Sequence, residues 1–124
     1  MDITPLIADG RQIIEGYGDG KFRIAGTVHR GSVVVLPSRT IAWPIKAIAE
    51  LDLDSLAPVL VAEPPVEVLL IGCGPRLVPM ARALRQALRE RGIGADTMDT
   101  GAACRTFNVL LSEERRVAAA LISV

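Results

Sequence analysis

Two short stretches bring together the residues whose chemistry is worth weighing. Gly72-Cys73-Gly74 follows an apolar run and precedes a helical pattern, and backbone amides at such a turn attract anions. A dinucleotide-binding turn needs a third glycine, however. That position holds Leu77, and Pro75 removes one amide donor. No Lys-Ser or Lys-Thr pair completes a phosphate loop there. Asp96 and Asp99 fall near the end of the next predicted strand, where a ribose-binding acid would sit. The second stretch runs from Met98 to Asn108 and sets Asp99, Thr100, Arg105, Thr106 and Asn108 around one helix start. Such side chains either cap the helix and bond locally or line a small polar pocket. Both stretches begin helices after strands, so a partly parallel sheet would bring Gly72, Gly74 and residues 99–108 to one edge. That edge is the candidate ligand or partner site, and a small-molecule or nucleotide binder using it is the alternative reading of function.

Catalytic residue types are otherwise scattered. His29 is the single histidine, and no Gly-x-Ser-x-Gly surrounds any serine. The two cysteines, Cys73 and Cys104, fit neither a disulfide scaffold nor a zinc-ligand spacing. A thiol at a helix start is reactive when its pKa is lowered, whereas a small residue filling a tight turn is the plainer role for Cys73. No catalytic set, metal site or cofactor is expected. Arg82, Arg85 and Arg89 recur at helical spacing and share a stripe. It is either a solvated face or a docking face for an acidic partner. No aromatics interleave these arginines, which argues against nucleic acid.

The elements that must position these residues follow from periodicity. Strands are expected at Gln12–Tyr17, Lys21–Ile24, Thr27–Arg30, Ser32–Leu36 and Thr40–Trp43, separated by glycine turns or stopped by Pro37 and Pro44. This is the pattern of an antiparallel meander. A helical turn near Asp54 or Ser55, with Leu56, Val59 and Leu60 inward, admits Pro58 only in its first turn. Val66–Ile71 is a nearly continuous apolar strand, as expected when both faces are covered. The spacing of Leu77, Met80, Ala81, Leu84 and Leu88 predicts a helix over Arg76–Arg91, ended at Gly92. Strand Gly94–Met98, a helix capped by Asp99 or Thr100, and strand Arg115–Ile122 complete a β-α-β-α-β order.

Length and composition bound the rest. A chain of 124 residues has room for one domain. Half its residues are apolar but only 3% aromatic, so the core must be aliphatic. Fourteen basic and fourteen acidic residues cancel, which gives no general attraction to nucleic acid or a membrane surface. No apolar run approaches the ~18 residues of a membrane span. The segment from Met1 to Gly10 has no early Lys or Arg, so no leader is expected. These features suit a cytoplasmic bacterial protein.

Residues 98–108, Met-Asp-Thr-x-x-Ala-x-x-Thr-Phe-Asn, resemble the signature of the complex I assembly factor 3-like family. Gly16-Tyr17-Gly18, Phe22–Gly26, Gly31–Pro37, Trp43, Arg91-Gly92-Ile93 and Arg115–Leu121 extend the resemblance along nearly the whole chain. It departs at Cys73, where threonine is expected, and at Pro75. The resemblance implies one three-layer β/β/α domain over residues 1–124, an N-terminal antiparallel meander packed with the C-terminal β-α-β-α-β unit. It also implies a non-catalytic role in assembling respiratory complex I or another membrane-associated complex. The partner is then a protein, and contact with the inner membrane runs through it.

Overall fold

A computed structural model describes residues 10–124. Residues 1–9, most of the segment read for a leader, lie outside the described residues. Strands β1 (Ile14–Gly18), β2 (Lys21–Ile24) and β3 (Thr27–Arg30) form an antiparallel three-stranded sheet. Asp19-Gly20 and Ala25-Gly26 join them, all four residues with positive φ, as two-residue hairpin turns matching strand twist require. The next hairpin, β4 (Val33–Leu36) and β5 (Arg39–Ala42), leaves this sheet. β4 pairs instead with β8 (Val117–Leu121), so the meander is shared between two sheets. The second sheet has five strands in the order β5-β4-β8-β6-β7, where β6 is Val68–Gly72 and β7 is Gly94–Met98. β6 lies parallel to both β7 and β8.

The five-stranded sheet is the middle layer. Alternate residues of β8 divide between two cores, with Ala118 and Ala120 on one face and Val117, Ala119 and Leu121 on the other. That double burial explains why these strands are apolar throughout rather than alternating. One face is covered by α2 (Arg82–Glu90) and by the connection carrying Trp43, Leu56 and Val59. The other is covered by α3 (Thr100–Ser112), through Ala103, Phe107 and Leu111, and by Ile14, Phe22 and Ile24 of the small sheet. The expected turn near Asp54 is a 3-10 turn, Asp54–Leu56, running into the short helix α1 (Ala57–Leu60).

The helix expected from Arg76 begins only at Arg82. Pro79 is the reason: it offers no N–H to the preceding turn and disfavours helical geometry at Val78. Leu77 is therefore 57% exposed rather than facing the core. Leu84 and Leu88 form the buried face of α2, while Met80 packs against that core from the preceding loop. Gly92, with φ of 80°, follows the helix end as expected.

Candidate functional site

The carboxyl ends of β6 and β7 and the start of α3 do converge, and their contacts are internal. Gly72 lies so close to α3 that an added Cβ would meet Thr100 Cα, Thr100 Oγ1 and Leu121 Cδ2, each at 3.0 Å. Thr100 is fully buried. Its hydroxyl accepts from the Gly74 N–H at 2.9 Å and donates to the Ile122 carbonyl at 2.8 Å. One side chain thus ties the turn, the helix start and β8 together. Asp99 is the N-cap, its carboxylate accepting from the Ala102 N–H at 2.8 Å. The turn's amides are accordingly committed, with Cys73 N–H donating to the Met98 carbonyl.

Further along α3 the side chains reach the small sheet. Asn108 makes a two-point clasp on Ile14, accepting from its N–H at 2.9 Å and donating to its carbonyl at 2.8 Å. Arg105 donates to the Tyr17 hydroxyl at 3.0 Å. Tyr17 lies over Gly101, where an added Cβ would come within 2.5 Å of its oxygen. Thr106 sits half-buried on the same helix. The structure therefore brings Gly72, Gly74, Asp99 and Thr100 into one knot, and sets Arg105 and Asn108 against β1. Tyr17 is legible in the sequence as a strand end and as part of the family resemblance, but not as a neighbour of Gly101 and Arg105.

Both cysteines are buried. Because α2 starts at Arg82, Cys73 is not at a helix N-terminus, and its thiol lies 3.3 Å from the Val78 carbonyl. Burial pushes the Cys104 thiol up to about 12, against the opposing pull of Arg105.

The arginine stripe is unequal. Arg85 donates to the Ala95 carbonyl and stands 3.8 Å from Asp96, so it braces α2 on β7. Arg82 and Arg89 are exposed. Three cavities among the described residues stand clear of the Gly72–Thr100 knot, and one of them reaches the Tyr17–Arg105 contact. One of about 300 Å³ sits beside Arg85, Arg89 and Asp96. Another of about 250 Å³ lies over Gly16, Tyr17, Gly18 and Val28. The largest, about 500 Å³, opens at the amino ends of β6 and β8, beside the β4–β5 turn. Arg11, Arg39, Arg115 and Arg116 line it. Of these, only the doublet at 115–116 is adjacent in sequence, so no motif announced the cleft. Glu67 pairs with Arg115 at 3.1 Å and Arg116 at 3.5 Å. The Arg115 hydrogen bond, aided by both guanidinium charges, holds the Glu67 carboxyl below its ordinary range despite some desolvation.

The family model described as protein of unknown function (DUF498/DUF598) matches residues 14–122. An uncharacterised protein of Rhodobacter capsulatus is 39% identical over 88% of this chain and 82% of its own length. A Danio rerio protein is 36% identical over 98% of this chain and 70% of its own. It is named NADH dehydrogenase (ubiquinone) 1 alpha subcomplex assembly factor 3. A solved structure of a Bartonella henselae protein, described as an outer membrane protein, superposes with a TM-score of 0.85 at 44% identity. That likeness covers 93% of this chain and 97% of the other. The chain belongs to the DUF498/DUF598 family and is similar in sequence to proteins named as complex I assembly factor 3.

Proposed function

We propose that this chain is a non-catalytic assembly or interaction factor for respiratory complex I or another membrane-associated complex. The observation that carries the reading is the 36% identity, over 98% of the chain, to a protein named as a complex I assembly factor. The geometry supports it in one respect. The polar side chains of the 99–108 signature bind Gly74, Ile122, Ile14 and Tyr17 of this same chain. They act as struts that hold α3 to both sheets. The factor then works from the cytoplasmic side, and no helix among the described residues is long and apolar enough to cross a membrane. Arg82 and Arg89, exposed on α2, form the docking face for an acidic partner.

The test is genetic and biochemical. In a bacterium that carries both this chain and complex I, deletion is expected to reduce assembled complex I on native gels and to leave subcomplexes. The intact chain restores the assembled form, and the Arg82→Glu, Arg89→Glu double variant restores it less well. A deletion strain with a full complement of assembled complex I overturns the proposal.

A further inference from the structure

The largest of the three cavities is not used by the reading above. It measures about 500 Å³, within the usual range of small-molecule sites. Its walls differ in character. Leu36, Val61, Pro64 and Val66 supply an apolar side, and Val61 is 69% exposed although aliphatic. Arg11, Arg39, Arg115 and Arg116 supply guanidinium groups, against Glu63 as the acid in the lining. Glu67, which is not part of the lining, pairs with Arg115 and Arg116 and favours their placement at the cleft before a ligand arrives. Among the described residues neither Arg11 nor Arg39 pairs with a carboxylate.

We propose that this cleft, between the β4–β5 turn and the loop entering β6, binds a small organic anion with an aliphatic body. The chemical class is a medium-chain carboxylate. Its head group takes paired N–H donors from the arginines, and its chain lies on Val61, Pro64, Leu36 and Val66. A bare inorganic anion would leave the apolar wall uncovered, and a cation of the same shape would face four guanidinium groups balanced by only Glu63 and Glu67. The site is at the opposite end of β6 from Gly72, so its occupancy is separable from the 99–108 knot.

Isothermal titration of the full chain with dodecanoate, below its micelle concentration, tests this. Saturable binding at one site is expected, with inorganic phosphate and dodecyltrimethylammonium giving none. Arg39→Glu and Val61→Asp change exposed side chains, so both variants should keep the native circular dichroism spectrum. Each is expected to weaken dodecanoate at least tenfold. Methyl chemical-shift changes should centre on Leu36, Val61 and Val66. Four results overturn the proposal: no saturable binding, undiminished binding by both variants, tighter binding of a polyglutamate peptide, or binding only to anionic phosphatidylglycerol vesicles. A normal complex I assembly phenotype with these two variants leaves the assembly reading standing whatever the titration gives.

Discussion

Gly72 and Gly101 both sit under a neighbour, yet alanine should affect them differently. At Gly72 the added methyl meets the Thr100 backbone and a buried leucine, each at 3.0 Å, and neither can move without displacing α3. Gly72→Ala is expected to cost about 1–3 kcal/mol, as overpacking in a filled interior does. At Gly101 the obstacle is the Tyr17 ring, which is 44% exposed and free to swing outward. Alanine there also recovers up to about 1 kcal/mol of helix propensity. Gly101→Ala should therefore be near neutral in urea unfolding while losing the Tyr17–Arg105 hydrogen bond. Equal costs at the two glycines would contradict this assignment. Cys104 makes a pH prediction. Its folded pKa of about 12 stands above the ordinary 9.0, so the unfolded chain gives up the thiol proton first. The stability this proton confers is intact below pH ~9 and falls as pH rises towards ~12, with a slope of at most about 1.4 kcal/mol per pH unit. Cys104→Ala should flatten that decline in melts between pH 8 and 11. In the native state at pH 8, iodoacetamide should leave Cys104 unmodified.

Helix α3 joins the two sheets, and Asn108 is its bond to the β1 backbone, beside the Arg105–Tyr17 contact. Replacing it with alanine removes two hydrogen bonds to Ile14, a loss of about 1–3 kcal/mol if each contributes its usual net share. Amide exchange should quicken selectively over Ile14–Gly18, and little in β6 or β8. Uniform acceleration would mean Asn108 serves global rather than local order. The elements themselves were largely legible in the sequence, because their causes are local. Val68-Leu69-Leu70-Ile71 reads as a doubly covered strand from composition alone. Asp99 announces a cap by its type and place. Pro79 was equally visible, and its effect on the start of α2 follows from ring geometry. The departure of β4 from the first sheet was not legible, since nothing in Val33–Leu36 names Ala119–Leu121 as its partner. The candidate site divides the same way. That the two turns share an edge follows from topology, but whether Thr100 and Asn108 face a cavity or their own backbone is decided by distant residues, Ile122 and Ile14.

At the scale of the whole molecule, the last strand made is the central one. β8 lies between β4 and β6, so the five-stranded sheet has no middle until residues 117–121 are in place. The C-terminus is also tied to the first half of the chain. Gly20 N–H donates to the Val124 carbonyl at 2.8 Å, and Ser123 N–H to the Ser32 hydroxyl at 3.0 Å. Both faces of the sheet depend on β8 residues with no exposed surface, so neither layer can be removed without opening the other. Unfolding should therefore be a single cooperative transition, as small domains usually show. Two reporters stand on opposite faces. Trp43, the single tryptophan, is buried on the α2 side, with its indole N–H donating to the Ser55 carbonyl at 2.7 Å. Cys104 is buried on the α3 side. Tryptophan fluorescence and Cys104 labelling, in a Cys73→Ala background, should give one urea midpoint. If Cys104 becomes reactive well before Trp43 reports unfolding, the α3 layer and small sheet peel away independently. The shared central strand would then be a weaker coupling than its position demands.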